Sequence, residues 1–166
     1  MSFYTVEINL EKVGGYFFLI YAVVVIITRP FTGKSLDVRG ANIIIYPCLI
    51  IFAIGMYFFS SATTSIIFII AAICIGIGYG NFMSVAQAVA IKETAHERMG
   101  LATSIFFILY DIGLGFGPYI LGLLVPSIGY RSIFSWTIVI IVFSIVLYSF
   151  LHGKKESASR KALINN

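Results

Sequence analysis

Residues 43–59 read IIIYPCLIIFAIGMYFF and residues 65–91 read SIIFIIAAICIGIGYGNFMSVAQAVAI, two runs without a charged side chain. An α-helix rises about 1.5 Å per residue, so about 20 residues cross the roughly 30 Å hydrocarbon core of a bilayer. Working outward, three further stretches have the length and apolar character to span, at about 10–28, 101–125 and 133–151. Lipid offers no partner for an unpaired N–H or C=O, so each span must be helical. The expected fold class is an all-α membrane protein of about five transmembrane helices. The bundle covers 1–152 and a polar cytoplasmic tail follows over 153–166.

Composition points the same way. Of 166 residues, 60% are hydrophobic and 11% charged, with a mean hydropathy of +1.01. Soluble domains carry about 25% charged residues. Eleven Lys/Arg and seven Asp/Glu side chains do not cover a water-facing surface of this size. The net charge of +4 is no sign of nucleic acid binding, because the basic residues fall in short segments between apolar runs and not on one aromatic-interleaved face. Cys48 and Cys74 lie inside apolar runs, where a small core residue is the expected role. His96 stands in a polar connection and His152 at the tail, so neither a catalytic set nor a metal site is expected, nor any cofactor.

The connections divide the basic residues. Arg29, Lys34, Arg39, Lys92, Arg98, Lys154, Lys155, Arg160 and Lys161 fall on one side of the membrane, Lys12 and Arg131 on the other. The positive-inside rule then puts the N-terminus outside and the C-terminus in the cytoplasm of a multi-pass plasma-membrane protein.

The first charged connection reads RPFTGKSLDVRG over 29–40. Its glycines permit a tight turn, and a fixed carboxylate favours a neighbouring helix N-terminus. It resembles the G-x-x-x-D-R-x-G loop of the major facilitator superfamily, with Gly33, Asp37 and Gly40 matching and Val38 in place of the usual Arg. The stretch 76–122, containing GYGNFMSVAQAVAIKETAHERMGLATSIFFILYDIGLGFGPYILG, is similar to helices ten and eleven of drug- and metabolite-efflux members of that superfamily. The resemblance implies helices eight to twelve of a twelve-helix transporter that rocks two halves about a midplane site. It implies a gating role for Arg29, Gly33, Lys34, Asp37, Arg39 and Gly40, in which Asp37 faces the other half, against the alternative of a solvated loop.

Asp111 is the only acid deep within a span, about 15 Å from the start of its helix. A charge at that depth faces a cavity or a partner and marks function by default. Projected at 100° per residue, Ser104, Asp111, Gly115, Pro118 and Gly122 share a face suited to a bundle interior, while Phe106, Leu109, Phe116 and Ile120 suit lipid. Asp111 is expected to take up a proton or bind a cationic group of the cargo; the alternative is a protonated acid hydrogen-bonded to a neighbouring helix. Gly76, Gly80, Met83, Ser84 and Gln87 cluster similarly, with Asn81 at the margin. Substrate or proton contact is therefore expected of Asp111, Gln87, Asn81 and Ser104. Close packing is expected of Gly76, Gly80, Gly113 and Gly117, and a helix bend of Pro118.

The expected function is proton-coupled alternating-access transport of a small molecule, in the direction of efflux, without enzymatic chemistry. The expected partners are the lipid bilayer, substrate, protons and a missing N-terminal transporter half, the chain reading as an N-terminally truncated fragment. Two alternatives stay open: a small membrane accessory protein that moves nothing, and an uptake symporter of the same fold.

Overall fold

The computed structural model describes Thr5 and residues 11–150. The expected start of the first span at residue 10 and the tail over 153–166, with its four basic residues, lie outside the described residues. The described chain is helical and, within it, four helices are long and apolar enough to cross a membrane. Helix α1 spans Glu11–Arg39 and α2 spans Asn42–Ser60. Helix α3 runs over Ser65–Lys92, with a π-helical turn at Gly76–Gly80 between two α-helical parts. Helix α4 spans Met99–Tyr148.

Two expected boundaries are corrected. The segment 29–42 is not an extended connection, because α1 continues as helix through Arg29, Gly33, Lys34 and Asp37 to Arg39. Pro30 forfeits one backbone hydrogen bond, but its fixed φ suits a helix, and the residues beside it are held against α3. The turn is confined to Gly40 and Ala41: Gly40 adopts φ 84° and its N–H donates to the Leu36 carbonyl at 3.1 Å. That left-handed cap requires glycine. The second correction concerns the fourth and fifth spans, which run on as α4 with one break in helical dihedrals at Gly129 (φ 73°, ψ 160°). This conformation is glycine's alone. The dihedrals at Pro118, where a bend is expected, and at Pro126 stay helical.

Packing fixes the directions. Phe17 of α1, Phe59 of α2 and Phe68 of α3 form a ring cluster with centroids 5.2–5.5 Å apart, and Phe134 meets Phe59 edge-on at 4.8 Å. Each such pair contributes about 0.5–1.5 kcal/mol. Beside the cluster, Arg131 Nη2 donates to the Ala62 carbonyl at 3.1 Å. At the opposite end of α2, Tyr148 OH donates to Asn42 Oδ1 at 2.8 Å and the Tyr148 ring meets Tyr46. The part of α4 after Gly129 therefore lies antiparallel along α2. The part before it, residues 99–128, contains no buried residue.

Helices that share a bilayer gain little from hydrophobic burial against each other, so close backbone approach decides. A Cβ on Gly78 would lie 2.6 Å from the Phe52 backbone nitrogen and 2.7 Å from the Cys48 carbonyl oxygen, and a Cβ on Gly55 2.9 Å from Ile75 Cγ1. These glycines set the crossing of α2 and α3. On the other side, Gly76 faces Val24 and Gly80 faces Val25, which brings α1 alongside α3 in parallel. Cys48 is buried in the first crossing, its Sγ 3.8 Å from the Ile77 carbonyl, and both cysteines are free thiols.

Candidate functional site

The π turn ends at Asn81, and Asn81 organises the polar seam between α1 and α3. Its side chain is fully buried. Nδ2 donates to Thr28 Oγ1 and to the Ile77 carbonyl, both at 2.8 Å, while Thr32 Oγ1 donates to Oδ1 at 2.9 Å. A buried amide left without partners costs about 1–3 kcal/mol; here each donor and acceptor is used. One turn further along, Arg29 directs Nε and Nη2 at Ser84 Oγ, at 3.1 and 2.8 Å.

Three phenols gather beside this seam from three helices. Tyr79 OH lies 3.4 Å from Tyr110 OH. The phenol of Tyr21 interacts electrostatically with Arg29 and with Tyr110, and its oxygen lies 3.3 Å from where a Cβ on Gly80 would stand. Gly80 thus leaves room for a hydroxyl at the junction of α1, α3 and α4. Arg29 sits 10 residues before the end of α1, about 15 Å along the helix axis, and Ser84 about 12 Å from the Lys92 end of α3.

Asp111 follows Tyr110 on the exposed part of α4. It lines an open concavity of about 700 Å³ with Ile108, Ile112, Gly115, Phe116 and Tyr119. Phe116, expected on the lipid-facing side, shares this face, so the concave surface is rotated from the one read off the sequence. Ser104 is exposed and returns its hydroxyl to the Gly100 carbonyl at 2.9 Å. A Cβ on Gly113 or Gly117 would meet nothing within 4 Å, so no helix of the described residues fills the expected packing notch. Gln87 is half-buried on α3, and Gly33, Lys34, Asp37 and Arg39 are exposed along the last turns of α1.

Of the residues expected to act, the structure brings Asn81 and Arg29 together and leaves Asp111, Gln87 and Ser104 apart from them. Sequence reasoning missed Tyr21, Tyr79, Tyr110, Thr28 and Thr32. The tyrosines fall among many other aromatics, and only the repeat of hydroxyls at 28 and 32, one helical turn apart, was a usable signal. Among the described residues no group of three His, Cys, Asp or Glu side chains could hold a metal ion.

A sequence profile of the Major Facilitator Superfamily matches residues 5–164. The chain belongs to the major facilitator superfamily. It is also similar to an uncharacterized MFS-type transporter of Methanocaldococcus jannaschii, 27% identical over 141 residues, covering 85% of this chain and 35% of the relative. The chain thus spans about a third of the length of that curated relative. Within the superfamily frame, the polar seam and the Asp111 face belong to a multi-pass membrane protein.

Proposed function

We propose that this chain forms part of a proton-coupled transporter that moves a small molecule out of the cell by alternating access, with Asp111 as the proton-carrying or cation-binding group. Membership of the superfamily over residues 5–164 carries the transport reading. The assignment to Asp111 is supported by its place as the one carboxylate of α4, lining an open concavity among apolar side chains. A carboxylate that is charged when solvated and neutral when occluded couples proton uptake to a change of access. No chemical conversion of the substrate is part of this mechanism.

Further helices complete the transport unit. Support comes from residues 99–128, which expose apolar side chains and open glycine notches, and from the chain's 35% share of its relative. The basic residues Lys34, Arg39, Lys92 and Arg98 gather at one end of the bundle, which favours that end facing the cytoplasm across a plasma membrane.

The test is flux in everted membrane vesicles under an imposed pH gradient, with and without Asp111→Asn. The expected outcome is loss of gradient-driven flux, while exchange of substrate at equal pH persists. Unchanged gradient-driven flux would overturn the assignment.

A further inference from the structure

We propose that the concavity at the Arg131 end of α4 binds the headgroup of a singly anionic phospholipid, a phosphodiester of the phosphatidylglycerol type. Arg131 holds the phosphate and Trp136 seats the upper part of the acyl chains. The site is independent of the Asp111 reading and needs only a membrane around the chain.

After the break at Gly129, α4 has two faces. Ile133 and Ile141 are buried and Phe134 meets Phe59, so that side packs on α2. Elsewhere on the same stretch, Arg131, Ser132, Ser135, Trp136 and Val139 line an open concavity of about 400 Å³. They recur at the four-residue spacing of one helical face, 131, 135 and 139 beside 132 and 136. Along the axis their chemistry changes from a guanidinium and hydroxyls, through an indole, to an aliphatic side chain. Arg131 bonds the Ala62 carbonyl in the turn between α2 and α3, which places it at the end of the bundle. Val139 lies eight residues on, about 12 Å along the helix. The polar interface on each side of the hydrocarbon core is about 5–8 Å deep. The concavity therefore starts among headgroups and ends among acyl chains. Trp136, 62% exposed, stands between, where indoles anchor at the boundary.

The bond to Ala62 fixes the Arg131 side chain and uses one of its five donors. Among the described residues lining the concavity there is no carboxylate. A helix packed over this face would bury the remaining donors without acceptors, at a cost that a phosphate avoids. The guanidinium fork also matches phosphate oxygens in geometry. Ser135 already donates to the Arg131 carbonyl at 3.0 Å, so toward a ligand it keeps acceptor capacity. One cation and a hydroxyl acceptor suit a headgroup with one negative charge and hydroxyl donors. A choline headgroup would instead bring a second cation to a lining without an acid.

Trp136 is the chain's single tryptophan, so its fluorescence reads the site directly. The test places the full chain in phosphatidylcholine vesicles containing a minor fraction of phosphatidylglycerol with dibrominated chains, which quench indoles on contact. The same fraction of dibrominated phosphatidylcholine serves as the reference. Phosphatidylglycerol should quench as though enriched about threefold to fivefold over its bulk fraction. Arg131→Gln should return quenching to the bulk level, whereas Lys12→Gln, an equal loss of charge in the first turn of α1, should leave most of the enrichment. Circular dichroism of each variant separates lost binding from lost fold. Equal quenching by the two lipids overturns the proposal, as does enrichment that survives Arg131→Gln. An equal loss in both variants reduces the effect to general surface charge and overturns it too. A Trp136 that neither lipid quenches means that protein covers this face, and reversal of the enrichment by soluble glycerol phosphate assigns the site to a free anion; either result rejects the lipid.

Discussion

Asn81 shows how much one buried amide can determine. It stands where the π turn gives way to α-helix, spends both polar atoms on α1, and aligns Arg29 with Ser84 one turn away. Thr28 and Thr32 also bond carbonyls of their own helix, so removing the amide would not orphan them. Asn81→Ala is therefore expected to cost only about 1–2 kcal/mol, from lost hydrogen bonds near 0.6 kcal/mol each in membranes plus a small cavity. Reversible unfolding in mixed micelles would measure it, and an unchanged midpoint would mean the seam is incidental. The sequence marked Asn81 as a polar residue on an apolar helix but not its partners. Hydroxyls at 28 and 32 look like ordinary helix threonines until the register of α1 on α3 is known. Asp111 was legible for the opposite reason: an acid within a span stands out without reference to any neighbour.

The element scale turns on glycines whose spacing looks alike. Gly76, Gly78 and Gly80 alternate in α3 just as Gly113, Gly115 and Gly117 do in α4, and nothing local distinguishes the two sets. Their neighbours do. In α3 the π turn directs Gly76 and Gly80 to α1 and Gly78 to α2, so three helices meet around five residues. Such turns recur where a helix serves a functional site. Gly78→Ala would drive a methyl into the backbone of α2, and a loss of about 3 kcal/mol or more is expected. Gly113→Ala enters open space and adds helix propensity, so the isolated chain should be unchanged or gain up to about 1 kcal/mol. Thermal unfolding of both variants compares them directly; equal destabilisation would contradict the packing described. The helix class and apolar spans were legible because length and charge depletion suffice for them. The ends were not: whether Pro30 stops a helix and whether Gly129 breaks one depend on tertiary partners that periodicity does not reveal.

At the scale of the molecule, two ends with different chemistry define an orientation. The end holding Ser61, Ala62 and Arg131 is joined by the Arg131–Ala62 bond and the phenylalanine cluster, and of the basic residues in α1 to α4 only Lys12 and Arg131 fall toward it. The end holding Gly40, Asn42, Tyr148 and the turn at His96–Arg98 carries Lys34, Arg39, Lys92 and Arg98. Transfer of such cations across the bilayer is disfavoured, so the basic end should remain in the cytoplasm. Cysteine scanning tests this after Cys48 and Cys74 are replaced by Ala. Ser61→Cys and Ser132→Cys should react with a membrane-impermeant maleimide added to intact cells, while His96→Cys and Lys34→Cys should react only after the membrane is opened. The reverse pattern would invert the orientation. Labelling of all four sites from outside would show that the basic end does not hold the chain in one orientation.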